Sequence, residues 1–189
     1  MGKHAFIVLI LLSTIFCGCL FDNEDAIKCE DLDAVELVGC EFPEFNLISD
    51  DLTTFNNSNI VSQGRWVAYF SAFWCTHCKP TIDALDKAIP EDRMLVFNKY
   101  PGEDYDNMSE WKDNMEDELN RSISRPFIHA PMLAENLSVV AIPHVILVED
   151  DTILAVRYGL WDDTNSIIRW FESPIPSSGA SQEMQEDQP

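Results

Sequence analysis

A cysteine pair wedged between an apolar run and an amphipathic segment is the tightest constraint in this chain. Trp66-Val67-Ala68-Tyr69-Phe70-Ser71 is a near-continuous apolar stretch, the pattern of a strand buried on both faces. Phe73-Trp74-Cys75-Thr76-His77-Cys78-Lys79-Pro80 follows it. Ile82, Leu85, Ala88 and Ile89 then recur at helical spacing until Pro90, which stops the helix. The cysteines therefore fall where a strand hands over to a helix. A cysteine at a helix N-terminus meets unpaired backbone N–H groups and the positive end of the helix dipole. Both favour thiolate over thiol and so generate a nucleophile. The two-residue spacer lets the second sulfur fold back and close a disulfide.

The remaining pattern supplies the rest of a layered domain. Met94 to Asn98 reads as a second buried strand, followed by a polar loop through Pro101-Gly102. Asn107 with Glu110 has the form of a capping box, and Met108, Trp111, Met115 and Leu119 make one core-facing stripe on the helix it opens. Val145–Val148 and Ile153–Val156 flank Glu149-Asp150-Asp151-Thr152, a hairpin signal. Ile167, Ile168, Trp170 and Phe171 give the apolar face of a last helix, opened by Asp162-Asp163 and ended before Pro174. Asn56-Asn57-Ser58-Asn59 reads as a loop by composition. The order strand, helix, strand, helix, strand, strand, helix predicts an α/β fold with a central mixed sheet flanked by helices on both faces.

At 189 residues the chain has room for one domain and short appendages. Lys and Arg total 12 against 33 Asp and Glu, a formal net charge of -21. Such a surface repels phosphate backbones, so no nucleic-acid partner is expected. Lys3 and His4 precede an apolar run from Ala5 to Phe16, long enough for a signal-peptide core and short of a spanning helix. It ends in Phe16-Cys17-Gly18-Cys19, similar to a prokaryotic lipoprotein signal with Cys19 as the lipidated residue. A plain cleaved signal or an uncleaved anchor is the alternative. The expected organisation is a signal over 1–18, an acidic tether over 19–43, the folded domain over 44–172 and a disordered tail over 173–189. An exported protein tethered to the cell membrane and facing outward lives where disulfides persist, so Cys29 and Cys40 are read as a structural staple, with a second redox pair as the alternative. A monomer is expected.

Trp74-Cys75-Thr76-His77-Cys78 after an apolar strand resembles the active site of the thioredoxin superfamily. Ala141-Ile142-Pro143-His144, directly before the Val145–Val148 strand, is similar to the family's cis-proline segment, and cis peptides are essentially a proline feature. The resemblance covers about Glu44 to Phe171. The pre-strand Phe45-Asn46-Leu47 and the inserted helix from Ser109 to Asn120 are closer to the exported, membrane-tethered branch than to a minimal thioredoxin. It implies thiol–disulfide exchange without a cofactor. Cys75 would be the attacking thiolate and Cys78 the buried resolving cysteine. Trp74, Thr76, His77, Ile142 and Pro143 would be their neighbours, with Ile142–Pro143 the cis bond. The partners implied are exported protein thiols or disulfides, and a redox partner that recycles the pair.

The chain departs from the family pattern in ways that bear on direction. Tyr69 stands where thioredoxins carry a buried Asp, Thr81 where tethered reductases often carry Glu, and Asp83 where a helix-kinking proline is usual. Missing carboxylates count against efficient reduction. A His before the second cysteine accompanies oxidising or isomerising members, because stabilising the reduced thiolate raises the potential. Oxidation is therefore slightly favoured. His144, after the cis-proline, is placed either near the sulfurs or at the flank of the groove. No metal site is expected, since a closed zinc site wants four ligands and no second pair lies at suitable spacing. Two other functions stay open. One is copper handling by Cys75, Cys78 and a histidine such as His77, His129 or His144, soft thiolates suiting Cu(I). The other is a thioredoxin-fold adaptor whose cysteines are only structural.

Overall fold

A computed structural model describes residues 29, 32–33, 36–61 and 64–173. The expected signal peptide, Cys19 and the tail beyond Ser173 lie outside the described residues. Five strands form the main sheet in the order β5-β4-β3-β6-β7. They are β3 (Trp66–Ser71), β4 (Met94–Asn98), β5 (Phe127–His129), β6 (His144–Glu149) and β7 (Thr152–Tyr158). β3, β4 and β5 run parallel, whereas β6 is antiparallel to both β3 and β7. A two-stranded antiparallel ribbon, β1 (Asn46–Ile48) with β2 (Thr54–Asn56), stands apart.

Alternation along the strands divides the core into two layers. Val67 and Tyr69 of β3, Val96 of β4 and Val145 and Leu147 of β6 face one side with Cys75 and Cys78. That side is covered by α2 (Cys78–Ala88), α3 (Asn107–Leu119) and α5 (Thr164–Glu172). The stripe residues Met108, Trp111 and Met115 are buried there, and Leu119 packs at its edge. Trp66, Ala68, Phe70, Phe97, Ile146 and Val148 face the other side. Leu133 and Ala134 of α4 (Pro131–Asn136) and Ile60 of α1 (Asn57–Val61) cover it. The mixed sheet with helices on both faces is the architecture expected.

Three elements correct the reading from sequence. Asn56–Asn59 is not a loop: Asn56 ends β2 and Asn57 opens α1. Asn56 N–H donates to Asn59 Oδ1 at 2.9 Å and Asn59 N–H to Asn56 Oδ1 at 3.0 Å, the reciprocal bonding of a capping box built from two asparagines. The box expected at Asn107 and Glu110 does not form. Asp106 occupies the N-cap without a side-chain bond, and Asn107 Oδ1 instead accepts from Asp104 N–H at 3.0 Å. β5 and α4 were absent from the expected order. The four residues between Pro126 and Pro131 are too few to show a period, and only the parallel pairing of β5 with β4 makes three of them a strand.

The end of the acidic extension packs into the domain. Leu37, Cys40 and Phe42 are buried in the second layer, with Phe42 edge-on to Trp66 at 5.0 Å. Gly39 N–H donates to Ile153 O, and Ile153 N–H to Cys40 O, both at 2.8 Å. Cys40 is disulfide-bonded to Cys29. The packed unit thus begins about eight residues before the expected boundary at 44, because apolar side chains spaced along 37–42 find a face of the sheet to cover. At the hairpin between β6 and β7, Asp150 and Asp151 both adopt positive φ, 49° and 61°, the twist a two-residue turn requires.

Candidate active site

Cys75 and Cys78 are joined by a disulfide at the junction of β3 and α2. Cys78 is the first residue of α2 and is fully buried; Cys75 lies a turn earlier with 9% exposed. Cys75 N–H bonds to Ala72 O and Cys78 N–H to Cys75 O, both at 3.1 Å, folding the intervening Thr76 and His77 outward. Cys75 is thus the more exposed cysteine of the pair. Phe73 and Trp74 are more than half exposed beside the pair, and Tyr100 sits edge-on to Trp74 at 6.4 Å.

The Ile142–Pro143 bond is cis. Pro143 is buried, and Ile142 packs against both core layers. Pro143 O accepts from Gly159 N–H at 2.9 Å, tying the segment to the end of β7. Lys99 reaches across from the end of β4 and donates to the carbonyls of Val139 and Val140, the latter at 3.1 Å. Burial pushes its ammonium pKa down.

Tyr69 and Thr81 are the buried polar groups in contact with the cysteine segment. The buried polar and charged residues among those described are Ser49, Ser71, Thr81, Asn98, Arg125 and His144, and none is a carboxylate. Tyr69 is fully buried and donates its hydroxyl to Cys78 O at 2.8 Å. Burial pushes its phenol pKa up, against a smaller opposing effect of the Ser71 hydroxyl. Thr81 Oγ1 donates to His77 O at 3.0 Å and accepts from Trp161 N–H at 3.0 Å. Asp83 bonds Lys87 and Arg121. Against burial, which opposes the shift, those two partners hold its carboxyl below the usual range. It lies on a different face of α2 from the buried Cys78.

His144 does not approach the sulfurs. It pairs in register with Phe70 and Tyr158 and, by alternation with Val145, sits on the sheet face opposite the cysteine layer. Both ring nitrogens are buried without a partner, and burial lowers its pKa to about 4. His129 Nε2 lies 3.2 Å from Tyr100 O, and His77 is exposed. Among the described residues, no group of three or more His, Cys, Asp or Glu gathers to hold a metal ion. The contacts of Tyr69, Thr81 and Trp161 were not legible in the sequence. The Thr81–Trp161 bond spans 80 residues, and no local pattern marks it.

This arrangement defines the chain as a thioredoxin-fold protein with a Cys-x-x-Cys disulfide and a cis-proline. No protein-family model matches the chain, and no curated protein matches it in sequence. Solved structures do match its fold. The pneumococcal exposed lipoprotein thioredoxin Etrx1 of Streptococcus pneumoniae strain TIGR4 aligns at 16% identity over 68% of this chain and 98% of its own, with a TM-score of 0.53. StoA from Bacillus subtilis aligns at 16% identity over 69% and 98%, TM-score 0.53. A thioredoxin-family thiol:disulfide interchange protein from Chlorobium tepidum TLS aligns at 15% over 70% and 96%, TM-score 0.54. Among the described residues, no helix is long and apolar enough to cross a membrane.

Proposed function

We propose that this protein exchanges thiols and disulfides on exported polypeptides through Cys75 and Cys78, held at the outer face of the cell membrane by its N-terminus. The observation that carries the proposal is the disulfide at the strand-to-helix junction, with Cys75 the more exposed residue and Cys78 fully buried, in a fold that also holds a cis-proline. In the oxidising direction a substrate thiolate attacks Cys75 Sγ. The Cys75–Cys78 bond breaks, and its electron pair leaves on Cys78 Sγ, which takes a proton. A second substrate thiolate then attacks the substrate sulfur of the mixed disulfide and releases Cys75 as thiolate. The substrate gains a disulfide, the protein becomes a dithiol, and a separate redox partner must reoxidise it. Reduction is the same path reversed.

The lean toward oxidation rests on His77 between the cysteines and on Tyr69 and Thr81 standing where the resemblance would place carboxylates. Export and tethering rest on the basic start, the apolar run and Cys19, and on the extracytoplasmic character of the fold neighbour described as an exposed lipoprotein. Cys75→Ser should abolish exchange with a model disulfide. Cys78→Ser should accumulate mixed disulfides at Cys75, visible on a non-reducing gel. Normal exchange by the Cys75→Ser protein would falsify the mechanism.

A further inference from the structure

The chain carries a large excess of acid, so a cation left without a carboxylate against the layer that holds the cysteines stands out. Among the described residues every lysine and arginine has a carboxylate partner except Lys99, Arg157 and Arg169. Arg169 is exposed on α5. Lys99 is committed to the Val139 and Val140 carbonyls. The Arg157 side chain makes no hydrogen bond, and its Nε is buried without a partner.

Arg157 is nevertheless held in place. Its guanidinium carbon lies 4.3 Å from the centre of the Trp161 ring, a cation–π stack that fixes the plane of the fork. Trp161 is buried in the same layer as Cys75 and Cys78, and its N–H bonds Thr81, which in turn bonds the carbonyl of His77 between the two cysteines. On its own strand Arg157 is two residues from Gly159, the donor to Pro143 O, and pairs across with Val145. The guanidinium is thus stacked on a tryptophan whose backbone N–H ties it, through Thr81, to the first turn of the cysteine-bearing helix, while the strand that carries Arg157 leads into the residue bonded to Pro143. The nearest acids in sequence do not serve it: Asp163 is spent on the N–H groups of Asn165 and Ser166, and Asp162 is exposed. Burial pushes the guanidinium pKa down, a cost that an anionic partner would relieve.

We propose that Arg157 receives a carboxylate of the polypeptide substrate, so that the protein selects cysteines with an acidic group nearby. A guanidinium offers a planar fork that matches a carboxylate bidentately. In a chain that otherwise repels anions, such a fork confines the preference to one place on the surface. This inference rests on the exchange reading above. It predicts that substrates are acidic near the reacting cysteine despite the net charge of -21.

The test uses the full chain and exchange rates with a small neutral disulfide and with peptides that differ only at one residue beside the cysteine, Glu or Gln. A further pair carries the carboxylate only as a free C-terminus, against its amide. The wild-type protein should prefer a carboxylate peptide about fivefold in kcat/KM, and the preference should shrink toward unity by ~0.5 M salt. The pair that shows it identifies a side-chain or a terminal carboxylate as the ligand. Arg157→Gln should erase the preference, and Arg157→Lys should restore part of it. The proposal is overturned if Glu and Gln peptides, and acid and amide peptides, react alike in the wild-type protein, which needs no variant to fold. It is also overturned if Arg157→Gln keeps the preference. Failure of the small disulfide and all peptides to react removes the exchange reading itself, a result distinct from equal reaction of all.

Discussion

Asp86→Ala offers a quantitative check on how the cysteine-bearing helix is anchored. Arg125 has a side chain only 2% exposed, and its Nε donates to Asp86 Oδ1 at 2.6 Å, with the Asp86 side chain 8% exposed. Arg125 also donates to the carbonyls of Asp86, Ile89, Pro90 and Glu91 around the C-terminal end of α2. Removing the carboxylate leaves a buried guanidinium with four carbonyl dipoles and no countercharge. Breaking a buried pair costs ~3–5 kcal/mol. The retained carbonyls place this case at the low end, about 3 kcal/mol. Arg121, which also bonds Asp86 at 2.5 Å, keeps Asp83 and adds little, being partly exposed. With a urea m-value of ~2 kcal/mol/M, the unfolding midpoint should fall by about 1.5 M. The assay is equilibrium urea unfolding of the oxidised protein followed by tryptophan fluorescence. Asp86→Asn, which keeps an acceptor but loses the charge, should cost roughly half as much. A loss below about 1 kcal/mol for Asp86→Ala would mean the pair is effectively solvated, and the reasoning from burial would be wrong.

Two further outcomes follow from buried groups near the site. His144 has a pKa near 6.5 when unfolded and about 4 when folded, so the unfolded chain binds the extra proton between those values. Its contribution is complete above about pH 6.5 and is lost as pH falls toward 4, amounting to about 3 kcal/mol. His144→Phe should flatten the stability loss between about pH 7 and about pH 4.5; parallel curves for variant and wild type would count against it. Tyr69→Phe removes the hydroxyl bonded to Cys78 O and should cost about 1 kcal/mol. It should also slow resolution of a Cys75 mixed disulfide, measured by release of a labelled peptide, and an unchanged rate would deny Tyr69 any part in placing Cys78.

What the sequence determined about this protein was local. A six-residue apolar run reads as an interior strand, and β3 is buried at every position. The spacing of Ile82 and Leu85 put one face of α2 inward, and both are buried. The cysteine pair lay within that same window, so its setting at a strand-to-helix junction was readable from one stretch of residues. Short elements were not readable. β5 exists because β4 offers it a parallel edge, and α1 because two asparagines cap each other. Only the tertiary structure decided what surrounds the disulfide. Whether His144 faces the sulfurs depends on strand register, and one residue changes the face. Tyr69 meets the Cys78 carbonyl because β3 passes beneath α2. Arg157 reaches the cysteine helix through Trp161 because β7 ends beside Pro143. Such contacts are set by how strands and helices pack and, as with Thr81 and Trp161, can join residues 80 positions apart, so no local pattern encodes them.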